Sequence, residues 1–185
     1  NVGKSTLTNA LLGQKLTITT AKAQTTRHRI LGMRNTEDYQ LILSDTPGII
    51  DPAYKLQESM MEAVQTVFDD ADVLVYMVEI GEKKGKNQEV ISRLAKTNTP
   101  LILAINKIDK GTQTLLEETI DAWKSQLPHA DIWSISALEK FQLDALVTRI
   151  VELLPQHPPY FPKDQLTDRS ERFVVNEVIR EKILR

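Results

Sequence analysis

The chain has 185 residues, of which 26% are charged and 41% hydrophobic, and its formal net charge at pH 7 is −2. This composition is typical of one globular domain, and it excludes a mainly disordered chain and a chain-wide basic surface for nucleic acid. Cysteine is absent, which excludes disulfides and thiolate metal sites. No apolar run in the sequence approaches the roughly 18–20 residues of a membrane-spanning helix.

Apolar runs of strand length alternate with helical patterns along the chain, which predicts an α/β fold with a mostly parallel sheet. In the first part we expect a helix over 4–12, a polar loop over 14–27, a hairpin of 28–34 with 39–45, a second loop over 46–55 and a helix over 56–68. After these we expect buried strands over 73–78 and 101–105 and a short strand over 132–135. Helices over 87–96, 112–127 and 141–154 alternate with them.

The composition changes at Pro155, where four prolines fall within eight residues. This run predicts a stiff linker over 155–167 between a domain of residues 1–154 and a separate segment of residues 168–185. Asp168 and Glu171 have the spacing of a capping box, which predicts a helix from there to about residue 184. Much of this helix is apolar and must pack against something. We interpret it as a docking element, with a peripheral membrane contact as the alternative.

Gly3-Lys4-Ser5 has the sequence that ends a phosphate-binding loop, G-x-x-x-x-G-K-[ST], directly before a predicted helix. In such a loop backbone N–H groups cradle phosphates, the lysine reaches the β and γ oxygens, and the hydroxyl binds Mg²⁺. The residues expected to contact the nucleotide here are Asn1, Val2, Gly3, Lys4, Ser5 and Thr6, with Lys4 also in a catalytic role. The first glycine of the motif would precede Asn1, so the first strand and the start of the loop are expected upstream of this chain. Alone, this half motif is equally well explained by chance.

Two further sequences fit the same site. Asp45-Thr46-Pro47-Gly48 follows a predicted strand, where an aspartate can hold the Mg²⁺ shell through water. Gly48 can bring its backbone N–H to a γ-phosphate without a Cβ clash, so both residues are candidate nucleotide contacts. In the preceding loop, Thr26 is the expected third metal residue beside Ser5 and Asp45, and it would sense the γ-phosphate. Thr26 and Gly48 are also expected in catalytic roles beside Lys4. An ordinary turn and a solvated threonine-rich loop are the alternatives.

Asn106-Lys107-Ile108-Asp109 follows the buried strand over 101–105 and is the most specific signal in the chain. The Asp109 carboxylate can accept hydrogen bonds from guanine N1–H and N2–H₂, a pattern that adenine does not offer, and unpaired buried polar groups penalise the wrong base. Asn106 is expected to tie loops together and the stem of Lys107 to cover the base. After the last predicted strand, the expected contacts to the guanine carbonyl come from Ser136, Ala137 and Leu138.

In this order the elements resemble the translation-factor-related P-loop GTPases over residues 1–154. Residues 22–30 and 167–173 narrow the resemblance to the Era group of that family. It implies a three-layer P-loop fold with one antiparallel hairpin strand, and slow Mg²⁺-dependent GTP hydrolysis as a switch in small ribosomal subunit assembly in the cytoplasm. It also implies that residues 168–185 begin a KH-type domain, whose remainder would bind small-subunit ribosomal RNA.

Two positions refine the expected mechanism. Ile49 follows the D-x-x-G sequence where many GTPases carry a glutamine that orients the attacking water, so we expect slow hydrolysis that a partner stimulates. Asn1 resembles the P-loop asparagine that in some relatives helps to hold K⁺. A GTP-dependent binding module with negligible hydrolysis stays open as an alternative. An ATP-using kinase is a second alternative, and Asp109 argues against it.

Overall fold

The architecture is α/β, as the sequence predicts, in a computed structural model that describes residues 1–19, 26, 28–49, 55–85 and 87–184. Within these residues the helices are α1 (Lys4–Leu12), α2 (Lys55–Asp70), α3 (Gln88–Lys96), α4 (Gln113–Gln126), α5 (Leu143–Leu153) and α6 (Glu171–Leu184). The strands are β1 (Ile30–Asn35), β2 (Gln40–Asp45), β3 (Leu74–Glu79), β4 (Leu101–Asn106) and β5 (Asp131–Ser134). Each element lies where the apolar pattern predicts it, to within a few residues.

The strands form two sheets. β3, β4 and β5 are parallel in that order, with Leu103 opposite Tyr76 on one side and Ile132 on the other. β1 and β2 form the predicted antiparallel hairpin, in which Gly32 lies opposite Leu43. Within the described residues the hairpin shares no backbone ladder with the parallel strands, so the expected single sheet is observed as two. Side chains join them instead, in a core cluster to which both β2 and β3 contribute.

Helices cover the parallel sheet on both faces, which confirms the three-layer arrangement. Along β4, Ile102 and Ala104 pack in a cluster with residues of α1 and α5. Their neighbours Leu103 and Ile105 pack in a second cluster with residues of α3 and α4. Because successive residues of a strand point to opposite faces, a strand covered on both sides is apolar throughout, as β4 is. The polar residues that follow β4 therefore emerge at the carboxyl edge of the sheet.

Residues 160–169, here called the C-terminal strap, lie against the hairpin. The Met33 amide donates to the Leu166 carbonyl at 2.9 Å, and Thr167 forms an antiparallel bridge with Gly32. At the far end, the Gln40 side chain donates to the Phe161 carbonyl at 2.8 Å. The strap thus runs along β1 and overlaps most of the segment predicted as a linker. The domain boundaries around it stay predictions.

The predicted capping box at the start of α6 is wrong. The helix begins at Glu171, and Ser170 is its N-terminal cap, with a hydroxyl that accepts a 3.3 Å hydrogen bond from the Phe173 amide. Asp168 instead accepts a 3.0 Å hydrogen bond from the Leu31 amide of β1. Its carboxylate therefore binds a distant strand and does not cap the helix as its spacing from Glu171 had predicted. Across the described ranges, no helix has the length and apolar character needed to cross a membrane.

Candidate functional site

The N-terminus of α1 is built on a glycine that no other residue replaces easily. Gly3 has φ +99°, and a Cβ at this position would lie 2.6 Å from the Asn106 Nδ2 atom. The helix starts at the next residue, Lys4, and the amides of its first turn point outward from the helix end without intrahelical acceptors. Such a terminus attracts anions through these amides and the helix dipole. The site of the predicted phosphate contacts therefore faces the carboxyl end of β4.

Asn106 joins two loops at that end of the sheet. Its Nδ2 donates to the Val2 carbonyl at 2.8 Å, and its Oδ1 accepts from the Ala137 amide at 2.9 Å. The residue is buried, so both bonds form away from water, where an unpaired amide would be costly. The structure therefore places Asn106 between the phosphate loop and the loop after β5, where the sequence prediction puts it.

A pocket of about 150 Å³ opens between these loops. Its lining consists of Gly3, Thr6, Asn106, Lys107, Asp109, Lys110, Ser136, Ala137 and Leu138. Inside it, the Ser136 hydroxyl donates a 2.6 Å hydrogen bond to Asp109 Oδ1 and so fixes the carboxylate. Lys107 has φ +64°, which is uncommon for a residue other than glycine, and its Nζ lies 2.7 Å from Glu79 Oε2. The residues predicted to read guanine thus line one pocket.

Three oxygen-bearing side chains meet beside the start of α1. The Ser5 hydroxyl donates a 2.8 Å bond to Asp45 Oδ2, and its Oγ lies 3.0 Å from Thr26 Oγ1. The Thr26 hydroxyl also lies 3.4 Å from Asp45 Oδ2. Asp45 ends β2 and is 2% exposed. The three predicted metal residues, which come from three different segments, therefore form one contiguous cluster.

The Asp45 carboxyl group fits a cation. Burial raises the pKa of this carboxyl above its usual value, and this effect outweighs the hydrogen bond from Ser5 and the charge of Lys4. Its Oδ1 is buried and has no hydrogen-bond partner among the described residues. A buried acceptor without a donor, beside two hydroxyls, is the hard oxygen set that Mg²⁺ prefers. These residues therefore fit the predicted Mg²⁺.

Gly48 lies on the phosphate side of this cluster, and Ile49 does not. A Cβ added to Gly48 would lie 3.5 Å from Lys4 Nζ, so the lysine ammonium is close to this part of the backbone. The Ile49 side chain is half-buried and packs against the core cluster formed with α3 and α4. The hydrocarbon that replaces the glutamine of many GTPases is therefore part of the core.

Thr17 is a site residue that the sequence analysis missed. It is 2% exposed, and its hydroxyl lies 3.4 Å from the Ser5 carbonyl oxygen, next to the metal cluster. A threonine-rich loop was the only signal, and it does not distinguish one threonine from another. Of the other predicted positions, Asn1 is exposed. Residues 22–25 and 27, which belong to the segment that carries the resemblance, lie outside the described residues.

Comparison with protein families and curated proteins gives the same assignment. The family model described as 50S ribosome-binding GTPase matches residues 1–107. GTPase Era of Thermoanaerobacter sp. (strain X514) is 44% identical over 185 residues, which are 100% of this chain and 61% of that protein. GTPase Era of Clostridium novyi (strain NT) is 41% identical over 186 residues and is covered to 63%. The chain therefore spans less than two thirds of the length of these relatives.

Solved structures agree in fold. A crystal structure of Era with MgGDPNP and nucleotides 1506–1542 of 16S ribosomal RNA matches 98% of this chain and 63% of its own, with TM-score 0.91 and 41% identity. The elongation factor SelB from Methanococcus maripaludis, at 23% identity and TM-score 0.59, shares the fold alone. Since the family model covers more than half of the sequence, the chain belongs to the 50S ribosome-binding GTPase family.

Proposed function

We propose that this protein binds GTP together with Mg²⁺ and hydrolyses it slowly, as a nucleotide-dependent switch. One observation carries the proposal. The pocket that Asp109 and Ser136 line lies beside the N-terminus of α1, and the Ser5–Asp45 cluster lies at the same terminus. A nucleotide joins a base to a phosphate chain through a ribose, so its binding site needs a base pocket next to a phosphate and metal site. The family match of residues 1–107 supports the same chemistry.

The base would bind in the pocket through a carboxylate. Asp109 accepts hydrogen bonds from guanine N1–H and N2–H₂, and Ser136 holds the carboxylate in place through its 2.6 Å bond. Adenine offers neither donor, so it would leave the carboxylate unsatisfied once the bound base covers it. The backbone at Ala137 and Leu138, which line the pocket, is available to the guanine carbonyl. Selection of GTP over ATP follows from these contacts.

The phosphates would bind at the start of α1. The amides of Gly3, Lys4 and Ser5 form the anion-binding end of the helix, and the Lys4 ammonium neutralises charge on the β and γ oxygens. Gly48 brings a backbone N–H towards the γ-phosphate. Ser5, Thr26 and Asp45 would hold Mg²⁺, which supplies charge neutralisation to the phosphate oxygens. Era, in its structure with MgGDPNP, binds such a nucleotide with magnesium.

Hydrolysis should be slow in the chain alone. Ile49 cannot hydrogen-bond a water, and its side chain packs into the core, so no glutamine-like group stands after Gly48. Asn1 leads to a narrower proposal, that K⁺ accelerates hydrolysis in place of an arginine finger. Hydrolysis measured in matched KCl and NaCl buffers tests it, and equal rates would contradict the role of K⁺.

A solved relative supports a proposal for the partner of the switch. Era has been solved with nucleotides 1506–1542 of 16S ribosomal RNA, so we propose the small ribosomal subunit and its rRNA as partners. The RNA contact would come from a KH-type domain that begins at residue 168. We place the protein in the cytoplasm, with a peripheral membrane contact through the exposed apolar side of α6, where Val175 and Ile183 are 56% and 77% exposed. Fractionation of cells and vesicle flotation test this placement.

A nucleotide competition experiment tests the main proposal. A fluorescent GDP analogue bound to the chain should be displaced by GTP and GDP at far lower concentrations than by ATP. Equal displacement by ATP would instead favour the alternative that the protein is an ATP-using kinase. Single-turnover hydrolysis of GTP should be slow and should accelerate when small ribosomal subunits are added.

A GTP-dependent binding module with negligible hydrolysis is the second candidate function. The packing of Ile49 against the core favours it, because the side chain at position 49 then does not orient water. The two candidates differ in one result. A hydrolysis rate that stays negligible both with and without subunits, while GTP promotes subunit binding, identifies the module.

A further inference from the structure

Glu181 on α6 is a buried carboxylate to which the proposed function assigns no role. The residue is 0% exposed, although it lies near the end of the last helix. Its Oε2 lies 2.5 Å from Lys15 Nζ, and its Oε1 accepts a 3.5 Å hydrogen bond from the Thr19 hydroxyl. A buried charge is costly unless it is paired and hydrogen-bonded, so these contacts are required once α6 packs here. Glu181 therefore ties α6 to the loop that follows α1.

The two residues that Glu181 contacts stand on either side of Thr17. Thr17 is itself fixed to α1, because its amide donates a 2.9 Å bond to Asn9 Oδ1 and its carbonyl accepts a 2.7 Å bond from Asn9 Nδ2. The Glu181 contacts at Lys15 and Thr19 therefore secure both flanks of a segment whose middle is bound to α1.

Thr17 in turn contacts the backbone of Ser5, whose side chain belongs to the metal cluster. Its hydroxyl lies 3.4 Å from the Ser5 carbonyl oxygen, in the first turn of α1. The path from α6 to the cluster thus runs from Glu181 to Lys15 and Thr19, along the backbone to Thr17, and from Thr17 to Ser5.

We propose that Glu181 is a positioning residue for the Mg²⁺ half of the site, acting by holding Thr17 between Lys15 and Thr19. The inference rests on the proposed function, because it presumes that the Ser5–Asp45 cluster binds Mg²⁺. It assigns to α6 an influence on the affinity for Mg²⁺ and leaves the guanine pocket outside that influence. The pocket lies at the other end of the site, and neither Lys15 nor Thr19 lines it.

The same helix offers a matched control. Glu177 lies one turn earlier on α6 and is partly buried, with a side chain 14% exposed. Its carboxylate pairs with Arg180 of the same helix at 2.5 Å. Glu177→Gln therefore removes a partly buried charge of the same helix, whereas Glu181→Gln removes the charge that Lys15 binds.

The test measures Mg²⁺ dependence and needs no hydrolysis. Binding of a fluorescent GDP analogue to the full chain is titrated with Mg²⁺, and the affinity for the analogue is also measured in EDTA. Glu181→Gln should raise the Mg²⁺ concentration at half-saturation by about threefold to tenfold, the usual range of coupling through packed contacts. Its affinity in EDTA should stay within about twofold of that of the native chain, and Glu177→Gln should change neither value.

A charge reversal checks that the ion pair is the cause. Lys15→Glu and Glu181→Lys should each weaken the Mg²⁺ response, and the double variant should recover part of it. A shift in Mg²⁺ dependence that is equal for Glu181→Gln and Glu177→Gln would overturn the proposal. The proposal would also be overturned if the effects of the two single variants simply added in the double variant.

A second readout separates this inference from the proposed function. In the nucleotide-free, metal-free chain, the amides of Leu16 and Thr17 donate to Asn9 Oδ1, and their hydrogen exchange reports on that segment. Glu181→Gln should accelerate their exchange about threefold to tenfold, and unchanged exchange would overturn the positioning role. If the native chain binds no guanine nucleotide, the proposed function fails, while the exchange result still decides whether Glu181 holds Thr17.

Discussion

The Ser136 hydroxyl and the Asp109 carboxylate are joined by a 2.6 Å hydrogen bond across 27 residues of sequence. Asp109 follows β4 and Ser136 follows β5, so the bond connects two loops at the carboxyl edge of the parallel sheet. It turns an otherwise mobile carboxylate into a fixed acceptor. A fixed acceptor discriminates between bases better than a flexible one, because it cannot turn away from the wrong partner.

Asp109→Asn should change which base is bound. The amide presents a donor where guanine also presents donors, so guanine-nucleotide affinity should fall about 100-fold or more, since each hydrogen bond to a charged group is worth about 1.5–3 kcal/mol. Xanthine has an oxygen at C2 and should gain affinity. Competition of GDP and xanthosine diphosphate for the same site measures the switch. Asp121→Asn, at an exposed position of α4, is the control, and an unchanged guanine preference in Asp109→Asn would show that Asp109 does not read the base.

Gly3→Ala and Gly13→Ala should differ in cost, although both flank α1 at positive φ. Gly13 has φ +72° and a Cβ there meets nothing within 4 Å, so alanine should cost only about 1–2 kcal/mol of backbone strain. At Gly3 a Cβ would lie 2.6 Å from Asn106 Nδ2, which is held by its bond to Val2. Alanine there adds the loss of that bond, about 1–3 kcal/mol, to the strain.

Urea unfolding of the two glycine variants checks this difference. Gly3→Ala should be the less stable variant and should also lose nucleotide affinity, because the phosphate loop and the pocket share Asn106. Equal stabilities would mean that Asn106 moves aside freely and does not join the loops.

Asp45→Asn should stabilise the metal-free protein at neutral pH. Because burial raises the pKa of Asp45 in the folded state, the carboxyl is neutral in both states below its usual value of 3.8, and stability is lost as pH rises through the raised value. Asparagine removes that loss and still offers Ser5 an acceptor oxygen. The variant should therefore exceed the native chain in stability at pH 7, and the difference should shrink towards pH 4.

Mg²⁺ should reverse the order of stability of the native chain and Asp45→Asn. With GDP and Mg²⁺ present, the native chain should gain stability by mass action, whereas Asp45→Asn should gain little beyond the effect of the nucleotide. Thermal unfolding at pH 7 and pH 4, with Mg²⁺ or EDTA, measures both effects. A native chain whose stability exceeds that of the variant in EDTA at pH 7 would show that the buried charge is not costly here.

Gly48→Ala should separate GTP from GDP. A Cβ at this position lies 3.5 Å from Lys4 Nζ, an ordinary contact, so the free protein should fold normally. In the GTP complex the methyl group would stand where the backbone approaches the γ-phosphate, and affinity for GTP should fall about tenfold or more through loss of one hydrogen bond to a charged group. GDP lacks that phosphate and should bind as before. Paired titrations measure the ratio, and a parallel fall for both nucleotides would contradict this role for Gly48.

The sequence predicts the elements and the base pocket well, because both depend on local patterns. The apolar run of β4 determines a strand covered on both faces, and the motif after it must then emerge at the edge where Asp109 is found. The motifs in which Ser5 and Asp45 stand are also sufficient to predict that the two residues belong to one site. Each of these features follows from spacing within a few residues and from the rule that parallel strands end at the same edge.

The features that the sequence does not predict all depend on distant pairs. Glu181 meets Lys15 across 166 residues, and no periodicity of either segment encodes that contact. Asp168 has the spacing of a helix cap, yet it accepts from the Leu31 amide of β1 because the C-terminal strap lies there. A proline-rich composition predicts stiffness and says nothing about what the stiff segment packs against.

Gln40→Ala should release one end of the C-terminal strap. The Gln40 Oε1 atom accepts from the Tyr160 amide at 2.8 Å and the Phe161 amide at 3.0 Å, while Nε2 donates to the Phe161 carbonyl. Alanine removes these three bonds and also the 2.8 Å bond that Nε2 donates to Asn35 Oδ1. The two amides should therefore exchange hydrogen faster, with a loss of about 1 kcal/mol in stability because the strap amides regain water. Gln113→Ala, which removes only a bond to Glu117 within α4, is the control and should leave the strap unchanged. Hydrogen exchange of Tyr160 and Phe161 that stays at the native rate in Gln40→Ala would mean that the pairing of Leu166 and Thr167 with β1 holds the strap by itself.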